Sequence, residues 1–313
     1  MEVGKVSIII TTYTATERLN TAIESVLFQT YTNFELCIVD DNNPETYDRQ
    51  YTESLIQKYS DKRIKYIKHD RNKKGAAARN TGIFHTDGEY VAFLDDDDYF
   101  YPKRLEACIN ALKRHDDYDM VYTSVELAQN DKIFEVRNAE KSGNIWRELL
   151  LNQGLLGTGS NIFIKRKCLE SVGGFDETFL RYQDIEFMLR ILERFRIFAL
   201  NEVLVRKNIQ ETNIPPYEKY RENKQKIFSK FDYLISQLSE EEKEQYYRGH
   251  FHELLNCALE SRNKEYIQSA IQDYHMNGLA LSWKETLKIH FYNFYKKYLK
   301  LSVILRTNKV IKH

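Results

Sequence analysis

The stretch YVAFLDDDDYFYP, residues 90–102, drives an apolar, strand-like run straight into four consecutive carboxylates and then into aromatic residues. Acids this close repel one another, so such a run is solvated, partly protonated or neutralised by a partner. A second run, FELCIVDD (34–41), ends the same way, on Asp40 and Asp41. Around these two, strand-like and helical patterns alternate from residue 5 to about residue 208: VSIIITTY (6–13), a helical pattern in ERLNTAIESVLFQ (17–29), another near 46–59, RIKYIKH (63–69), and a further helical pattern near 76–84. In the first helical pattern Leu19, Ala22, Ile23, Val26 and Leu27 follow the i, i+3, i+4, i+7 rule, and Thr14 with Glu17 reads as a capping box. Alternation of this kind means βαβ units, a mainly parallel Rossmann-like sheet flanked by helices, and a site where the strands' C-terminal ends converge. Both acidic clusters then look into one cleft. The strands are apolar on both faces, as buried parallel strands are.

Composition sets the outer bounds. The 313 residues are 42% apolar and 13% aromatic, ample for a core. Lys+Arg and Asp+Glu balance at 46 each, so no global field draws the chain to nucleic acid, and any electrostatic specialisation is local. The four cysteines, Cys37, Cys108, Cys168 and Cys257, are far apart and form no C-x-x-C pair, which argues against a zinc site and a disulfide framework. Cys108, with Leu105, Ile109 and Leu112, belongs to a helical core face that starts after Pro102. The N-terminus enters KVSIIITTY without a signal-peptide pattern, and no apolar run reaches about 18 residues. The expectation is a cytosolic chain that does not span a membrane.

After residue 208 the texture changes. QETNIPPYEKY (210–220) punctuates the chain with two prolines, and the residues beyond them are charged, Tyr-rich and helical in period. Ser239 with Glu242 and Ser282 with Glu285 read as capping boxes. The organisation expected is an α/β domain over 1–208 and a helical region over 209–313. The terminal stretch from Trp283 to His313 mixes Lys and Arg with aromatic and aliphatic residues and carries one acid, Glu285. Two readings stand for it: a helix docked by its apolar face, or an interfacial helix giving peripheral contact with the inner face of the cell membrane.

The recurrence of acids at strand ends suits a hard-cation site, where one or two carboxylates hold Mg²⁺ or Mn²⁺ and the other positions go to water and substrate phosphates. At this point the chain resembles the glycosyltransferase family 2 enzymes with the GT-A fold. Three blocks carry the resemblance, in register: residues 6–41 ending FELCIVDD, NKKGAAARNTGIFHTDGEYVAFLDDDDYFYP (72–102), and GGFDETFLRYQDIEFMLRI (173–191). They cover residues 5 to about 208; the helical C-terminal third lies outside the resemblance.

The resemblance implies roles residue by residue. Thr11 and Tyr13 would form the nucleobase pocket, with Asp40 accepting a hydrogen bond from a uracil-type N–H. Asp95 and Asp97 occupy the acidic places of the D-x-D motif, Asp97 as metal ligand and Asp95 or Asp96 toward the ribose, with Asp98 left without a firm role. Lys74 and Arg79 would face the nucleotide or its diphosphate, although Arg79 on a helix reads equally as a structural ion-pair partner. Asp184 would be the general base for the acceptor hydroxyl. The family usually has Glu-Asp at this point, whereas this chain has Gln183-Asp184, so a second carboxylate beside the base is absent. The implied function is metal-dependent, inverting transfer of one sugar from a nucleotide-diphosphate sugar, a UDP-sugar by this reading, to a glycan or lipid-linked acceptor in bacterial surface polysaccharide synthesis. The processive Q-x-x-R-W signature does not follow Asp184, which favours one sugar per encounter.

Other readings are weighed beside it. A sugar-1-phosphate nucleotidyltransferase needs a Gly-rich N-terminal loop, and TTYTATERLN (11–20) has no glycine. A non-catalytic nucleotide-sugar or glycan-binding protein, or a scaffold, keeps the pocket but not the base. NQGLLGTGSN (152–161) reads as a mobile acceptor loop, lacking the P-loop Lys. His69, alone at a strand end, reads as a satisfied histidine and not a ligand.

Overall fold

The computed structural model describes residues 1–14, 16–152, 154–209 and 216–290. Backbone contacts divide the chain into two units, Met1–Thr212 and Asn213–His313. The sequence-based boundary stands at 208.

The first unit contains β1 (Glu2–Thr12), α1 (Arg18–Leu27), β2 (Phe34–Asp40), α2 (Tyr47–Ile56), β3 (Ile64–Lys68), α3 (Lys74–Phe84), β4 (Gly88–Asp95), β5 (Tyr99–Phe100), α4 (Arg104–Arg114), β6 (Met120–Gln129), β7 (Lys132–Arg137), α5 (Trp146–Leu151), β8 (Phe163–Lys165), α6 (Arg166–Val172), α7 (Gln183–Leu192) and β9 (Ile197–Asn208). One sheet runs in the order β3-β2-β1-β4-β8-β6-β9-β5, with β7 paired to β6. Its first four strands are parallel, as the βαβ pattern predicts. The rest is mixed: β8 runs antiparallel to β4 and β6, β7 to β6 and β5 to β9, while β6 and β9 are parallel.

Register is what positions the site. Thr12 pairs with Asp40 and Thr11 with Asp95, so the three parallel strands finish level along one edge. Side chains alternate between the sheet's faces. Val6, Ile8 and Ile10 of β1, Leu36 and Ile38 of β2, and Ala92 and Leu94 of β4 share one core cluster with α1 and α4. On the other face Ile9 meets α3 at Gly82, where an added Cβ would lie 2.4 Å from Ile9 Cγ2. Ile9 is buried and β-branched, so it has little freedom to retreat. Gly82→Ala should therefore cost about 1–3 kcal/mol of stability, read from the urea unfolding midpoint.

Local signals decide several element ends. Thr46 caps α2 by accepting from the Arg49 N–H. The expected Thr14–Glu17 box does not form: Glu17 occupies the N-cap of α1 without a side-chain cap bond, and Thr14 is left-handed at φ 74°. All four cysteines are buried and free. Leu105 and Cys108 are fully buried on α4, as the periodicity predicts.

The second unit comprises α8 (Tyr217–Lys230), α9 (Asp232–Ile235), α10 (Glu240–Ser261) and α11 (Lys264–Met276), followed by helical residues 283–290. Both expected capping boxes form, Ser239 with Glu242 and Ser282 with Glu285. Of the basic, aromatic C-terminal stretch, residues 291–313 lie outside the described residues, and with them the choice between a docked and an interfacial helix. No helix among the described residues is long and apolar enough to cross a membrane.

Inside this unit Lys224 is fully buried and donates to His250 Nδ1 at 2.8 Å and to Glu253 at 2.7 Å, while the Tyr246 ring stands edge-on to the imidazole. Burial, then the neighbouring ammonium, holds the His250 pKa well below its ordinary 6.5. The folded state therefore needs neutral His250, whereas the unfolded chain takes up a proton near pH 6.5. Stability from this group is complete above pH 6.5 and is lost as the pH falls below it. Denaturant melts from pH 7.5 to 5 should show that decline, and His250→Gln should flatten it.

Candidate active site

The level strand ends enclose an open cleft of about 270 Å³ lined by Thr11, Thr12 and Tyr13 from β1, Asp41 after β2, Gly75, Ala78 and Arg79 from α3, and Asp95, Asp96 and Asp97 at the end of β4. Tyr13 stands at the mouth, 52% exposed. Three of the four consecutive acids face this cleft, and each is held differently.

Asp95 accepts from Arg79 Nη2 at 2.7 Å. Asp96 accepts from the Thr12 hydroxyl at 2.6 Å. Burial, with the charges of Asp97 and Asp95 adding to it, pushes its pKa up to about 7. Asp97 lines the cleft, and its backbone carbonyl accepts from Asn208 Nδ2 at 2.6 Å. Asp98 turns away. It is 2% exposed, accepts from Thr158 at 3.0 Å and Ser160 at 2.6 Å on one oxygen, and from the Asn208 N–H at 3.0 Å on the other. Burial, then Asp95 and Asp97, raises its pKa to about 7. The run is thus three acids presented to a cleft and one anchoring the turn that presents them.

The donor residue expected from β2 needs correction. Asp40 is 0% exposed and does not line the cleft. Its carboxylate is used internally: Arg49 Nε lies 3.1 Å from Oδ2, the Tyr66 hydroxyl donates to Oδ2, and the Asn42 N–H donates to Oδ1 at 2.9 Å. Alternation explains this, because Asp40 shares the face of Leu36 and Ile38, whereas Asp41 falls on the α3 face. Asp41 is therefore the carboxylate that β2 delivers. Its Oδ1 accepts from His69 Nδ1 and the Lys73 N–H, both at 2.7 Å, and its Oδ2 from the Lys74 N–H at 2.8 Å. The last two are N–H groups at the start of α3, which an acceptor satisfies favourably. Lys74 serves through its backbone at φ 76°; its side chain is exposed and is not among the cleft residues.

Arg79 is the ion-pair partner that one of its two readings described, and it also stands in the cleft. It lines the cleft, pairs with Asp95, and reaches Gln183 Oε1 at 3.0 Å, so one guanidinium ties β4 to the start of α7. Gly75 gives it room, since a Cβ there would lie 3.0 Å from Arg79 Nη1 and 3.1 Å from Gln183 Oε1. Asp184, next to Gln183, is half-buried and not itself a cleft-lining residue. It accepts from the Ile185 N–H at 3.0 Å, and its Oδ2 lies 3.6 Å from where a Gly159 Cβ would sit.

The loop opposite Asp184 differs from the mobile acceptor loop expected. Thr158, Ser160 and Asn161 are buried. The Ser160 hydroxyl accepts from the Asp95 N–H at 3.0 Å and donates to Asp98, and buried Arg104 donates to the Ser160 carbonyl at 3.1 Å. This short turn joins the acid run to the neighbourhood of Asp184. Sequence reasoning placed Asp41 among the cleft acids but gave its role to Asp40, and it assigned no role to Thr12 or to Gln183 as a bridging residue. Strand parity was the available signal for Asp41; nothing local marks the other two.

Among the described residues no three or more His, Cys, Asp or Glu side chains form a metal cage. The cleft instead offers carboxylate oxygens close enough together that, after burial, the charges of Asp97 and Asp95 add to the raised Asp96 pKa. That donor set fits a hard divalent cation completing its shell with water and phosphate.

Residues 7–173 match the family model described as Glycosyl transferase family 2. An uncharacterized glycosyltransferase of Rickettsia felis is 38% identical over 148 residues, which is 47% of this chain but 24% of that longer protein. The Escherichia coli UDP-Glc:alpha-D-GlcNAc-diphosphoundecaprenol beta-1,3-glucosyltransferase WfgD is 31% identical over 196 residues, 63% of this chain and 73% of that one. Among solved structures, S. aureus TarS 1–349 in complex with UDP-GlcNAc matches with a TM-score of 0.57, covering 89% of this chain and 93% of that chain. At 15% sequence identity, that likeness is one of fold.

Proposed function

This chain belongs to glycosyltransferase family 2 and its first unit has the GT-A fold, and from that premise we propose that it transfers one sugar, with inversion, from a UDP-sugar to a hydroxyl of a lipid-linked or glycan acceptor during polysaccharide synthesis. The observation that carries the proposal is the convergence, in one cleft, of Thr11, Tyr13 and Asp41 with Asp95, Asp96 and Asp97. The UDP donor and the lipid-linked acceptor are suggested by the names of TarS in its UDP-GlcNAc complex and of WfgD, and are proposals for this chain.

In this reading Tyr13 packs on the base at the mouth of the cleft, and Asp41 takes the place expected of Asp40 as acceptor for the base N–H. Asp96 faces the ribose. Asp97, with Asp95, would hold Mn²⁺ or Mg²⁺. When bound, that cation supplies neutralisation of the diphosphate as it leaves. Asp184 takes the proton of the acceptor hydroxyl while that oxygen attacks the anomeric carbon from the side opposite the leaving group. The bond to the diphosphate oxygen breaks and its electron pair stays on the diphosphate. One displacement with no covalent enzyme intermediate inverts the anomeric centre. Arg79 keeps Asp95 and Gln183, and so the two sides of the reaction, in a fixed relation.

The test is a thermal-shift screen of nucleoside diphosphates and nucleotide sugars with and without Mn²⁺, followed by product analysis by NMR for anomeric configuration. A UDP ligand at 100 times its dissociation constant should stabilise the native state by about 2.7 kcal/mol. If no nucleotide shifts the transition in the presence of metal, the proposal fails.

A further inference from the structure

His69 is the residue that this function leaves unexplained. It is 4% exposed, follows β3, and bridges Asp41 to Thr81 of α3. Its Nδ1 lies 2.7 Å from Asp41 Oδ1 and its Nε2 lies 2.9 Å from the Thr81 hydroxyl. An ionised carboxylate only accepts, so Nδ1 carries the proton toward Asp41, and Nε2 stands within hydrogen-bond distance of the Thr81 hydroxyl. The backbone makes this placement rigid. The Asp41 N–H continues the ladder to the Thr12 carbonyl, the His69 N–H continues it to the Asp40 carbonyl, and Arg49 Nη2 donates to the His69 carbonyl at 2.7 Å.

A carboxylate offers about four acceptor positions, two on each oxygen. On Asp41, His69 and the Lys73 N–H fill both positions of Oδ1, and the Lys74 N–H fills one on Oδ2. One position remains, on Oδ2, in a residue that lines the cleft. We propose that His69 is a positioning residue for the donor base: by saturating Oδ1 it fixes the Asp41 carboxylate so that a single acceptor position, on Oδ2, meets the imide N–H of a uracil nucleotide. This rests on the uracil-nucleotide reading of the cleft. Selectivity for a base with an N–H at that point then depends on a histidine that never touches the ligand.

Two side chains separate the bonds of His69. Asn places an N–H near the Nδ1 position and can still serve Asp41; Gln places its polar end near Nε2 and can serve only Thr81. The probes are UDP and N3-methyl-UDP, which lacks the imide hydrogen, titrated calorimetrically into the full chain with Mn²⁺. Wild type should bind UDP at least tenfold more tightly than N3-methyl-UDP. His69→Gln should weaken UDP by about tenfold while changing N3-methyl-UDP by less than about twofold, and His69→Asn should keep UDP within about threefold of wild type. Equal losses on both probes, or Asn no better than Gln, would overturn the proposal and leave His69 merely structural. Failure of wild type to bind UDP overturns the uracil-nucleotide reading as well, whereas UDP binding without preference over N3-methyl-UDP overturns the Asp41 contact and with it the His69 role, while the UDP donor reading stands. If the melting temperature shows that His69→Gln does not fold, Thr81→Val carries the same comparison: a loss of about threefold confined to UDP supports the proposal, and an equal loss on both probes removes it.

Discussion

Asp184→Asn is expected to lower the rate of sugar transfer by about 10²–10⁴-fold while leaving Mn²⁺-dependent UDP binding within about twofold of wild type. The substitution keeps the volume that lies against Gly159 and an oxygen to accept from the Ile185 N–H, so the start of α7 should hold its shape. What it removes is the capacity to take a proton from an attacking hydroxyl. Gln183 cannot substitute, being neutral and already engaged by Arg79 and the Phe179 carbonyl. Initial rates of UDP release, measured beside calorimetric UDP binding, separate the two effects. Unchanged transfer would take Asp184 out of the base role, and a parallel collapse of UDP binding would make it part of the donor site instead.

The second large effect is expected from Asp97→Asn, which should reduce transfer by about 10²–10³-fold and abolish most of the response of UDP binding to Mn²⁺. Chelation of the wild-type enzyme should give a similar loss, reversed by adding Mn²⁺. Asp98→Ala is the informative contrast, because the two acids are adjacent in sequence but differ in surroundings. Removing the Asp98 carboxylate strands the Thr158 and Ser160 hydroxyls and the Asn208 N–H, at about 1–3 kcal/mol for a buried unsatisfied group. Asp98→Ala should therefore lower the melting temperature of the metal-free chain. Asp97→Asn should leave it unchanged or raise it, since it removes one of the two neighbouring charges that add to burial in lifting the pKa of Asp96 to about 7. Equal melting losses in both variants would mean that Asp97 is structural too.

Much of the fold was legible because its signals are local. Apolar runs, helical periodicity and two of three capping boxes identified the parallel half of the sheet, its helices and the helical second unit. The failed Thr14–Glu17 box shows the limit: the pattern is present, but the chain leaving β1 takes Thr14 through the left-handed region and its N–H bonds to Asn42 Oδ1. Two strands of the mixed half were illegible for another reason. Strand β8 has three residues and β5 two, too short to show a period, and both owe their conformation to long-range pairing.

By itself the sequence determined that acids stand at the ends of buried parallel strands, and therefore that a polar site lies at that edge, because hydrophobic periodicity and strand-end chemistry are properties of neighbouring residues. Which acid does what was decided by tertiary structure. Asp40 and Asp41 differ by one residue, yet alternation sends one to Arg49 and the other to the cleft. Asp97 and Asp98 differ by one residue, yet one lines the cleft and the other is closed off by Thr158, Ser160 and Asn208. The reach of Arg79 to Asp95 and Gln183, and the place of His69 behind Asp41, join residues far apart in the chain. No local pattern encodes such partners, because a side chain's charge and hydrogen-bond capacity are set by whatever the fold brings against it.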